Sequence, residues 1–96
     1  MNREQVVRLL REHEQELKAS GIMRLSLFGS VARGERGNDV DLMAEFDASR
    51  QFSLLDMVGL ENRLTDIPGV RVDLAPAKAL KDGIREQANR EAVLAF

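Results

Sequence analysis

Asp39 and Asp41 stand two residues apart around Val40, and Asp73 follows inside a second apolar run. In an extended segment side chains alternate faces, so residues two apart share one face, about 6.6–6.8 Å from each other. Asp39 and Asp41 therefore point one way, while Val40 and Leu42 point the other. The run VRVDLA, 70–75, alternates in the same manner. Val70, Val72 and Leu74 form its core face, with Arg71 and Asp73 opposite. If the two strands adjoin, three carboxylates converge on one patch of sheet. Such charges raise one another's pKa unless a cation compensates. Carboxylate oxygens suit Mg²⁺, and two such ions about 3.5–4 Å apart would serve in-line phosphoryl displacement. A lone D-x-D is ordinarily a solvated surface pair. Aspartate is depleted in strand interiors, however, and here it interrupts two apolar runs.

Upstream, Gly29-Ser30 follows the apolar run 22–28 directly. A strand that turns there into a short helical segment aims backbone N–H groups at an anion such as a triphosphate. Glycine permits close approach, and the Ser30 hydroxyl adds a donor. No G-K-[ST] follows, so this is not a Walker loop. Arg33 fits two uses equally, a partner for phosphate or a scaffold ion pair with a nearby acid. Arg36 reads as part of a solvated basic loop.

The elements that must hold these residues follow from periodicity. Asn2 with Gln5 makes a capping-box pair, and Val6, Val7, Leu9, Leu10 and Leu17 recur at helical spacing. This predicts a helix over 3–19 that Gly21 stops. Segment 22–28 reads as a strand buried on much of both faces, 30–34 as no more than a turn or two of helix, and 40–46 as a second strand. Ser53 and Asp56 open a helix to 64 or 65, whose stripe is Leu54, Leu55, Met57, Val58, Leu60 and Leu64. Core packing is the expected use of that stripe. Pro68-Gly69 makes a turn, 70–75 a third strand that Pro76 ends, and 77–89 a helix weakened by Gly83. The last six residues fit either a helical extension or a short strand. His13 reads as a solvated helix residue. The methionines read as core filler, although Met43 also fits the lining of a nucleotide pocket.

Ninety-six residues suggest one domain, 1–96, with a single core layer. The net charge of −2 disfavours direct nucleic-acid binding, which needs a clustered cationic face. There is no cysteine, which suits a reducing compartment. The polar start is unlike a signal peptide, and no apolar run approaches the 18 or so residues of a membrane span. A cytoplasmic α/β (α+β) domain is expected, a small mixed sheet flanked by helices.

Taken together, Gly29-Ser30, Ala32-Arg33-Gly34, Asp39-Val40-Asp41-Leu42 and the later Asp73 resemble the polymerase-β-like nucleotidyltransferase superfamily. The likeness is to its minimal members, the stand-alone MNT-domain proteins. It spans nearly the whole chain in size and element order, with specific motifs over 28–46 and 70–75. Asn38 stands where the family usually has Ser. The resemblance implies that Gly29, Ser30 and Arg33 hold nucleotide phosphates. It implies that Asp39, Asp41 and Asp73 are catalytic and bind two Mg²⁺ ions, with Asp73 also assisting the attacking hydroxyl as base. ATP is the implied donor, and AMP the group transferred. Minimal nucleotidyltransferases are similar to antitoxins paired with HEPN-domain toxins, which implies a toxin tyrosine as acceptor. The chain contains no tyrosine, so such an acceptor must lie on a partner. Two other readings stand beside this one: a non-catalytic antitoxin that covers its partner, and a transferase for aminoglycoside-like small molecules. Oligomerisation is left open.

Overall fold

The computed structural model describes residues 2–34, 39–79 and 82–96. Arg36 and Asn38 fall outside that set. Four strands form one mixed sheet in the order β3-β2-β1-β4. β1 (Ile22–Phe28) and β2 (Val40–Phe46) run antiparallel at its centre, over the expected ranges. β3 (Val72–Pro76) lies parallel to β2, and β4 (Val93–Leu94) antiparallel to β1. The final residues thus form a short strand rather than more helix.

Burial follows the pleat. Leu25 and Leu27 of β1, Val40, Leu42 and Ala44 of β2, and Val72 of β3 are buried on one face. Two helices packed there, α1 (Arg3–Glu12) and α4 (Leu54–Asp66), contribute Val6, Val7, Leu10, Leu60 and Leu64, and α2 (Glu14–Ala19) adds Leu17. Both predicted capping boxes are present: Gln5 N–H donates to Asn2 Oδ1 at 2.9 Å, and Asp56 N–H to Ser53 Oγ at 3.1 Å.

Three expectations need correction. The helix over 3–19 is broken at His13, which ends α1 and precedes α2, with its Nδ1 2.9 Å from the Leu9 carbonyl. His13 is therefore a half-buried joint, not a solvated helix residue. The α4 stripe divides: Leu60 and Leu64 enter the core, but Leu54 and Leu55 are 80% and 83% exposed, and Val58 is exposed too. Core packing accounts for only the second half of that helix. Third, segment 77–89 is a 3-10 turn at Ala77–Ala79 followed, beyond two residues outside the described set, by α5 (Asp82–Glu91). Segment 30–34 contributes to one helical turn, α3 (Gly29–Ala32), within the turn or two its length allows. Pro76 ends β3 from within; β3 is an edge strand, where a missing N–H costs no ladder bond.

Two arginines tie α1 to the rest. Arg3 Nη1 donates to the Ala32 carbonyl at 3.1 Å, anchoring α3, and Arg11 Nε donates to the Ala95 carbonyl at 2.8 Å. No helix among the described residues is long and apolar enough to cross a membrane.

Candidate active site

The second face of the sheet carries the polar residues that alternation set aside. Asp41 is the register partner of Asp73 in the parallel β2–β3 ladder and of Phe28 in the antiparallel β1–β2 ladder. Partners in a ladder share a face, so the two carboxylates stand side by side on neighbouring strands. Asp39 lies just ahead of β2, exposed rather than within the strand. It remains near enough for its charge to act on Asp41.

Beyond Phe28 the chain turns sharply into α3. Gly29 has φ +78°, a left-handed conformation that side chains resist. The space beside it is taken: a Cβ there would collide with Asp41 Oδ2 and lie 3.2 Å from its Cγ. Glycine is required twice over, for the turn and for the carboxylate against it. Gly29 and Ser30 open α3, so this turn sits at the end of β1 beside Asp41.

The electrostatics centre on Asp41. Partial burial raises its pKa, and the charges of Asp73 and Asp39 raise it further, while Arg33 opposes them. Asp73 is half-exposed and lies 3.8 Å from Arg71 Nε. Arg33 Nη1 donates to Glu91 Oε2 at 2.9 Å, so the scaffold pair anticipated from the sequence exists, and it joins α3 to α5. Of the two uses, the scaffold ion pair is the one the structure displays, and the charge of Arg33 also acts on Asp41.

The donor set fits Mg²⁺. It is all carboxylate oxygen, and the crowded charge at Asp41 is what a cation relieves. The expected convergence of three carboxylates is not met: among the described residues, Asp39, Asp41 and Asp73 included, no three acidic, His or Cys side chains form a group that could hold a metal ion. Mg²⁺ seldom uses an all-protein cage, taking one or two carboxylates and completing its shell with water and substrate phosphates.

Sequence reasoning missed what continues down the same face. From Asp41 the alternation runs to Met43 and Glu45, and from Phe28 to Ser26 and Arg24, with Ser26 opposite Met43 and Arg24 opposite Glu45. A cavity of about 1090 Å³ opens over these residues, walled by Phe46, Phe52, Lys78 and Leu94. Extending the alternation from Asp41 would have found its floor. Met43 lines this cavity and is buried.

Residues 8–95 match the family model of the nucleotidyltransferase domain. The chain belongs to that family. As a nucleotidyltransferase it is 37% identical over 93 residues to the protein adenylyltransferase MntA of Thermococcus cleftensis, covering 94% of this chain and 92% of that one. Its fold superposes on a structure assigned as a minimal nucleotidyltransferase with a TM-score of 0.77 and 41% identity, covering 97% of this chain and 95% of the other. It also superposes, at TM-score 0.68, on a chain of the complex between a tri-AMPylated Shewanella oneidensis HEPN toxin and its MNT antitoxin. There identity is 15%, with 94% and 71% of the two chains covered, which speaks to fold alone. The expected nucleotidyltransferase fold and enzyme class are borne out.

Proposed function

We propose that this nucleotidyltransferase is a protein adenylyltransferase that moves AMP from ATP to a hydroxyl, a tyrosine by family resemblance, of a HEPN-type toxin and so acts as its antitoxin. The observation that carries this reading is the Asp41–Asp73 register pair beside the Gly29 turn. Asp39, Asp41 and Asp73 would hold two Mg²⁺ ions, which when bound neutralise charge at the reacting phosphate. The Gly29-Ser30 turn would receive the β- and γ-phosphates, with Arg33 supplying positive charge nearby. The acceptor oxygen attacks the α-phosphorus of ATP. A new O–P bond forms as the bond from that phosphorus to the α,β-bridging oxygen breaks. Pyrophosphate leaves, and the hydroxyl proton passes to the Asp73 carboxylate and then to water.

The homologous adenylyltransferase MntA from Thermococcus cleftensis supports the reaction class, while the HEPN-type partner rests on the resemblance to antitoxins paired with such toxins. Incubation of the chain with Mg·ATP and the cognate toxin is expected to add adenylate to the toxin by intact mass. Asp41→Asn should cut the rate about 10²-fold or more, as loss of a charge-stabilising group does. An unmodified, folded cognate toxin would overturn the reading.

One observation favours a second reading, neutralisation by covering. Exposed large apolar side chains mark interaction surfaces, and Leu54, Leu55 and Val58 form such a patch. A double Asp39→Asn, Asp41→Asn variant that still neutralises the toxin would establish covering; one that fails would establish transfer.

A further inference from the structure

An in-line displacement needs its nucleophile opposite the leaving group. This inference rests on the proposed transfer, in which pyrophosphate leaves over Gly29 and Ser30 at the far end of β1. The incoming hydroxyl must then approach Asp41 and Asp73 from the other direction, down the strands toward Ser26 and Met43. The cavity opens there, starting one pleat from Asp41.

Three features of the cavity point to its occupant. Its volume of about 1090 Å³ lies just above the range for small-molecule pockets, roughly 300–1,000 Å³, and exceeds the needs of a nucleoside. Its lining is apolar where solvent would favour polarity: Met23 is 61% exposed, and Leu94, opposite Ser26 on β4, is exposed too. A β-bulge between Ile22 and Arg24 produces this, since it leaves Met23 and Arg24 both facing out while Ile22 stays in the core. Bulges beside active sites commonly re-aim a side chain in this way. The charges are mixed rather than phosphate-like. Arg50 donates to the Ala19 carbonyl and approaches Asp47, and Arg24 faces Glu45 across the ladder. At the inner end, Ser26 is buried to 6% exposure and offers a hydroxyl at the floor.

We infer that this cavity is the acceptor cleft, which takes an extended segment of the acceptor protein. The hydroxyl-bearing residue enters at the Ser26–Met43 end, next to Asp73, and an apolar residue flanking it in the acceptor rests on Met23 and Leu94. The carboxylate row and the cleft form one continuous track along the sheet.

Two variants of the full chain test this. Ala92→Trp narrows the cleft at its wall, and Met23→Asp charges its lining at an exposed position that folding tolerates. Transfer from Mg·ATP is measured with cognate toxin varied, and nucleotide affinity separately with a fluorescent ATP analogue. Each variant should raise the KM for toxin about tenfold, the loss of one good apolar contact, with nucleotide Kd unchanged. A weakened nucleotide Kd with unmoved toxin KM would give the cavity to the nucleoside and overturn the inference. Unchanged values of both would also overturn it, while leaving the transfer reaction standing. Absence of any transfer by the wild-type chain would overturn reaction and cleft together.

Discussion

Asp41 is pressed from several sides: partial burial, Asp73 across the ladder, Asp39 ahead of the strand, and the Gly29 backbone against its oxygen. Its pKa is raised in the fold, so folding favours the neutral acid. That contribution is fully present below the ordinary aspartate value of 3.8 and is lost as pH rises through the higher folded value. Without nucleotide or metal, Asp41→Asn should therefore melt higher than wild type near neutral pH. The difference should vanish at about pH 3, where both side chains are neutral. Calorimetry at the two pH values checks this, and added Mg²⁺ should stabilise the wild type alone. Gly29→Ala should lose both stability and transfer. The left-handed backbone costs about 1–2 kcal/mol, worth roughly 4–8 °C of Tm for each kcal/mol in a domain of this size. A variant that melts like wild type would show that the turn relaxes. The aspartates were legible because charge in an apolar strand is conspicuous. The Gly29–Asp41 contact was not, since it joins the first residue of α3 to a residue of β2, and only the fold sets how the end of β1 registers against β2.

At the scale of elements, α4 starts on a reciprocal cap. Ser53 N–H donates to Asp56 Oδ2, and the backbone and hydroxyl of Ser53 hold the Asp56 carboxyl below its usual range. Ser53→Ala should cost about 1 kcal/mol, read from the denaturant midpoint at constant slope. The stability from Asp56 is present above the ordinary aspartate value and is lost as pH falls through its lower folded value, so acid should narrow the gap between variant and wild type. Both capping boxes and the ranges of β1 and β2 could be read from sequence because their signals are local. The break at His13 could not. Leu10 and Leu17 are seven residues apart, two full helical turns, so the apolar stripe runs through the joint undisturbed. The bulge at Met23 was hidden likewise, since an apolar residue in a run buried on both faces gives no sign of pointing out.

Across the whole molecule, the two faces of the sheet divide the work. One packs on α1 and α4; the other carries the carboxylates and the cleft. The apolar patch of α4 therefore lies on the core-side helix, apart from the chemistry. Leu54→Asp with Leu55→Asp should leave melting and nucleotide binding intact yet abolish co-elution with the toxin on size exclusion, whereas Asp41→Asn should keep the complex. Which apolar residues of α4 meet the core depends on what neighbours cover, and periodicity records no neighbours. The parallel pairing of β2 and β3 was readable only as a condition, that the two aspartate-bearing strands adjoin. The margins of this sheet carry a last implication. β4 spans two residues, and β3 ends on Pro76, which has no N–H to offer. Neither border presents a long row of free backbone donors and acceptors for another chain to zip onto. Companions of this protein must be recognised by the shape and chemistry of its side chains, not by adding strands to its sheet.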